Sequence, residues 1–273
     1  MVTALRPLST GELLDRTFSL YRSHFLLFAG IYALPHLCVL AFQCLVFAFQ
    51  TPGAYLQNAL VTGVFGMIAA LLSVVVTATS QAATVVAVSQ VHLERPASVM
   101  DSFSKVKKQI AGVIGLSLRV GILVGLWSLL LIVPGILKAI EWSLAVPAKV
   151  LEDKSASEAM SRSSDLSRGN RGRIFVIWLL FIVLSIGVSM LLQWPIQIAA
   201  GTGRRPLAPL QGVAVVWQLA SVVGTFISTC LVGPLATIAF SLVYYDERVR
   251  KEAFDLQLMM TTIDAPTLQG APA

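Results

Sequence analysis

The sequence predicts an all-α integral membrane protein. It should have about six transmembrane helices, three amphipathic helices on the cytoplasmic face and an amphipathic C-terminal tail. Three observations carry that expectation. Of 273 residues, 56% are hydrophobic and only 12% charged, against about 25% charged in soluble domains; mean hydropathy is +0.79. A chain this apolar cannot keep its surface wet. Apolar runs long enough to cross a bilayer recur along it. Three times, a Ser-x-x-acid string, the signature of a helix N-terminus, stands a short way ahead of such a run.

The first surface helix is expected over residues 9–23. Ser9 and Glu12 form its capping pair, with Leu13, Leu14, Thr17, Phe18, Leu20 and Tyr21 on one side and Asp15, Arg16, Ser19 and Arg22 on the other. The segment is amphipathic and charged, so it does not read as a cleavable signal peptide. The first span follows over 25–49, with Pro35 as a kink. The second, 59–91, exceeds the roughly 20 residues a bilayer needs and must tilt, bend or protrude. Ser98 and Asp101 open the second surface helix, 97–107, with Val99, Met100, Phe103 and Val106 as its apolar face.

Residues 109–133 form the third span, which Pro134-Gly135 breaks. The fourth, 136–151, rises only about 24 Å as a helix, short of a hydrocarbon core of about 30 Å. Ser155 and Glu158 cap the third surface helix, 155–168. Its less polar stripe runs through Ala156, Ala159, Met160 and Ser163. The fifth span is 174–199, and 200–210 is a loop rich in Gly and Pro. The sixth span is 211–245, with Pro234 inside it. An amphipathic tail follows, and 261–273 reads as disordered. Residues 1–260 thus form a single polytopic domain.

The net charge is +6, with pI near 9.5. The basic residues cluster beside apolar runs, which argues for membrane topology and against nucleic acid. With both termini cytoplasmic, most lysines and arginines face the cytoplasm. Arg204, Arg205 and Lys138 fall on or near the far side, and Arg119 falls within a span. The leaflet on that face is anionic, so Arg16, Arg22, Lys105, Lys107, Lys108, Arg168, Arg171, Arg173, Arg248 and Arg250 are the candidates for lipid contact, at about 1 kcal/mol each.

Small residues recur every four positions at Ser117, Gly121 and Gly125, at Ala69, Ser73, Thr77 and Gln81, and at Ser221, Thr225, Thr229 and Gly233. Such stripes let helices approach closely; they hold the bundle together or form a homodimer. Arg119, Lys138 and Glu141 are the intramembrane polar candidates. Lys138 and Glu141 lie one turn apart and can pair, and Glu141 can alternatively reach Arg119. The functional reading is a polar pathway for a solute; the structural one is an ion pair fixing helix register, or Arg119 snorkelling to the interface. Cys38, Cys44 and Cys230 lie in apolar segments without metal-ligand spacing. His24, His36 and His92 are too dispersed for a metal site. No nucleophile elbow, phosphate-binding loop or paired catalytic carboxylates occur. No catalytic, cofactor or metal residues are assigned.

Three stretches carry a resemblance: Arg6 to Phe18, Glu158 to Arg171, and Tyr244-Tyr245-Asp246-Glu247-Arg248 through Leu256. Together they resemble the bacterial glycerophosphoryl diester phosphodiesterase membrane domain family, across residues 5–260. The resemblance implies a membrane module, either fused to a soluble phosphodiesterase or standing alone. This chain lacks room for the catalytic barrel, which takes about 250 residues. The leading expectation is a non-enzymatic protein of the bacterial inner membrane, a scaffold or a module contacting lipid or a protein partner. A small-solute transporter with a path near Arg119 and Glu141, and a role in glycerophosphodiester metabolism, are the alternatives.

Overall fold

The computed structural model describes residues 8–48, 55–201 and 211–252. Arg6, Arg204, Arg205, the tail beyond residue 252 and the segment expected to be disordered lie outside these. The described residues are all-helical: α1 Thr10–Ser23, α2 Phe25–Ala48, α3 Tyr55–His92, α4 Val99–Val106, α5 Ile110–Leu130, α6 Ile132–Glu141, α7 Ala145–Glu152, α8 Ala156–Ser167, α9 Arg171–Gly201 and α10 Gln211–Glu252. Among them α2, α3, α5, α9 and α10 are long and apolar enough to cross a membrane.

The central element is α10. Its apolar window is 61% buried, against 11–28% in the other four, and it packs on α1, α2, α3 and α9. Small residues make that packing close. The Tyr32 ring of α2 occupies the space where a Gly233 side chain would stand. Its hydroxyl meets Thr237 Oγ1 at 2.6 Å. Ser189 of α9 bonds Ser228 at 2.9 Å, and Gln193 bonds Thr225 at 3.1 Å. The outward faces of α2, α3, α5 and α9 carry Leu, Ile and Val, as lipid contact requires.

The caps form as their spacing dictates. Ser9–Glu12 and Ser155–Glu158 both make the reciprocal capping box, and Ser98 accepts from the Asp101 amide. Pro35, the expected kink residue, and Pro234 both lie inside continuous helices.

The segment expected as a fourth span, 136–151, differs. It is two short helices, α6 and α7, separated at Trp142–Leu144. The chain reverses one stretch earlier than expected, at Leu131, which is extended (φ −156°). The turn leaves Pro134 in the first turn of α6, where its missing N–H is harmless. Gly135 lies against Ser128 of α5, where any side chain would collide.

The break between α6 and α7 frees backbone groups that hydrocarbon cannot satisfy. Ser163 of α8 satisfies them. Its hydroxyl accepts from Leu144 N at 3.1 Å and donates to the Glu141 carbonyl at 2.7 Å. Ser167 adds a longer bond to that carbonyl. Hence α8 does not lie loosely on a surface. Its Ala159, Met160, Ser163, Leu166 and Ser167 are all buried. Ser163→Ala leaves a buried N–H unpaired, a cost of about 1–3 kcal/mol. The expected result is a lower melting temperature of the detergent-solubilised protein. An unchanged one shows that the break does not depend on α8.

Candidate functional site

The charged groups converge on one end of the bundle. The start of α1, the second half of α8, the start of α9 and the ends of α3, α7 and α10 meet there. Ionic side chains cannot be left alone where helices crowd, and the acids at the end of α10 supply the partners.

Asp246 is the hub. It is 4% exposed and accepts from the Leu8 amide at 2.6 Å, from Arg250 Nε at 2.8 Å and from Arg173. Arg173 and Arg250 both donate to the Leu8 carbonyl as well. Beside it, Glu247 is fully buried. One of its oxygens accepts from Asn170 at 2.7 Å; the other faces Arg173 at 3.5 Å without a hydrogen bond.

A second centre is Glu152 at the end of α7. It takes the Tyr244 hydroxyl, Arg162 Nε at 3.0 Å and Lys154 Nζ at 3.3 Å. Burial pushes its carboxyl up, but the bonds from Tyr244 and Arg162 and the Arg162 charge outweigh this and hold it below the usual carboxylate range. Arg248 pairs with Glu252 at 3.1 Å and lies over the Tyr244 ring. Lys251 closes the end of α8 by donating to the carbonyls of Asp165, Leu166 and Arg168. Arg16 of α1 reaches His92, whose ring stacks on Tyr245.

The expected site residues separate accordingly. Arg173 and Arg248 turn inward onto carboxylates. Arg250 and Arg171 are tied to Asp246 and Glu141 respectively, the latter at 3.4 Å. Lys105 pairs with Asp101 at 2.9 Å. Arg22, Lys107, Lys108 and Arg168 are exposed, and their side chains have no partner among the described residues. Lys138 pairs with Glu141 at 3.1 Å. Arg119 does not join them. It is exposed on α5 and pairs with neither of them among the described residues.

Sequence reasoning missed Asp246, Glu247, Glu152, Arg162, Tyr244, Asn170 and Lys251. The available signal was the acid pair Asp246-Glu247 ending the longest apolar run. Among the described residues, no three His, Cys, Asp or Glu side chains converge in a way that could hold a metal.

Residues 47–247 match the model of a family described as a domain of unknown function (DUF7847). No curated protein and no solved structure matches the chain.

Proposed function

The chain belongs to the DUF7847 family, and from that premise we propose a non-enzymatic protein of the bacterial inner membrane. Both termini are cytoplasmic, and the end carrying the ion pairs meets the anionic leaflet. The observation that carries this reading is the division of labour among cations. The inner arginines are consumed by Asp246, Glu247 and Glu152. Arg22, Lys107, Lys108 and Arg168 are left exposed beside apolar side chains such as Phe18, Leu26, Leu93 and Met100. Exposed cations next to exposed apolar groups suit the headgroup boundary, where each cation gains about 1 kcal/mol from anionic lipid. The likeness to the glycerophosphodiesterase membrane domain belongs to the same proposal. Parts of all three stretches that carry it lie in this charged end.

The test compares wild type with a variant in which Arg22, Lys107, Lys108 and Arg168 are all glutamine. Phosphatidylglycerol added to the detergent-solubilised protein should raise the melting temperature of wild type more than that of the variant. The gain should shrink from 0.1 M to about 1 M salt as screening grows. An equal gain in both proteins overturns the lipid role. Lys107→Cys in intact cells should resist an impermeant thiol reagent; labelling reverses the orientation.

A further inference from the structure

We propose that the outward face of α5 between Gly112 and Arg119, together with Lys149 of α7, binds the headgroup phosphate of one anionic phospholipid. The site stands on residues other than the exposed cations above, so it does not rest on that reading.

Lys149 is the first observation. It is 9% exposed, yet no carboxylate pairs with it among the described residues. Its ammonium makes one hydrogen bond, to the Lys154 carbonyl at 2.9 Å. An ammonium has three donors, and a buried cation without a counter-charge is costly.

The second is where that ammonium lies. A Cβ at Gly112 would stand 2.8 Å from Lys149 Cε and 2.9 Å from its Nζ. The bare glycine lets the cation reach the surface of α5. Gly112 is itself exposed, so the ammonium borders the outer face of the helix. Gly115 continues this floor, with nothing within 4 Å of its Cβ position.

The third is Arg119. Gly112, Gly115 and Arg119 are spaced i, i+3, i+7 and share one helix face. Arg119 is about 10 Å further along the axis at 1.5 Å per residue. Helical side chains lean toward the N-terminus, which draws the guanidinium back over Gly115 toward Lys149. An arginine at membrane depth is stabilised by an anion, by carbonyls or by reaching the interface, and α5 itself contains no acid. A second copy docked on this face would oppose Arg119 to Arg119, so it supplies no counter-charge.

A phospholipid does supply one. Its phosphate accepts two parallel bonds from a guanidinium and accepts from the ammonium as well. Its chains find a bed below, because Ile122, Leu126 and Leu129 extend the same face and are 68%, 62% and 86% exposed.

The test uses the full chain in phosphatidylcholine nanodiscs carrying a trace of spin-labelled phosphatidylglycerol or spin-labelled phosphatidylcholine. At about 1 M salt the Debye length is about 3 Å, which weakens the attraction of the water-exposed cations Arg22, Lys107, Lys108 and Arg168. Wild type should still immobilise the glycerol lipid preferentially. Arg119→Leu and Lys149→Met should each lower that preference about fivefold. Gly115→Leu keeps both cations but fills the floor, and should lower it as much. Arg119→Lys should retain most of it. Both outward-facing variants meet open surroundings, so they keep the test decisive if Lys149→Met fails to fold. No preference in wild type at that salt, or Arg119→Leu and Gly115→Leu both matching wild type, overturns the proposal. Displacement of the labelled lipid by inorganic phosphate overturns its assignment to a lipid.

Discussion

Asp246→Ala should lower the stability of the detergent-solubilised protein by about 3–5 kcal/mol, the range for removing one partner of a buried ion pair. Three contacts go at once: the Leu8 amide, Arg173 and Arg250. Arg173 suffers most, since its side chain is only 13% exposed and water cannot replace the lost anion. Glu247, at 3.5 Å, retains part of the compensation. Asp246→Ala combined with Glu247→Gln leaves Arg173 without any full countercharge, and that protein should fail to accumulate. Arg250→Gln serves as the contrast. Arg250 is far more open to water, and Asp246 keeps Arg173 when Arg250 is lost, so this change should cost clearly less. Thermal melts of wild type, Asp246→Ala and Arg250→Gln decide the matter. If Asp246→Ala and Arg250→Gln fall together, the hub at Asp246 is not what holds the charged end.

Gly233→Ala should destabilise by about 1–3 kcal/mol, the usual cost of overpacking. The added methyl would fall on the Tyr32 ring, which is 2% exposed and held by Thr237. The ring cannot swing aside without breaking that bond and its stacking on His36. Shrinking the ring should relieve the clash, so Tyr32→Leu ought to cost less in the Gly233→Ala background than in wild type. A double-mutant cycle of melting temperatures reads this coupling directly. Additive effects would mean that the two residues do not press on each other.

The local signals were the readable ones. Ser9–Glu12 and Ser155–Glu158 announced their capping boxes because a cap is settled within four residues. Lys138–Glu141 was readable for the same reason, one turn apart on one helix. The apolar runs located all five long helices, because hydrocarbon length sets their size. What failed was long-range. Arg173 and Asp246 are 73 residues apart, and nothing near Arg173 says that an acid will reach it. Its position beside an apolar run suggested a lipid contact instead. The stripe through Ala159 and Ser163 looked like the dry side of a floating helix. It is buried because α8 must satisfy a break elsewhere, between Glu141 and Leu144. A Cβ at Gly121 or Gly125 would meet nothing within 4 Å among the described residues, so their spacing alone overstated their part in the bundle.

The bond between Leu8 and Asp246 joins residues 238 apart in sequence. A ribosome adding about 5–20 residues per second needs some ten to fifty seconds to travel that distance. Until α10 emerges, Tyr32 has no Thr237 and the Leu8 amide has no acceptor in Asp246. The nascent chain therefore waits in the bilayer with its earlier helices inserted but unlatched, and α10, which leaves the ribosome after the other described helices, is the one that closes the bundle.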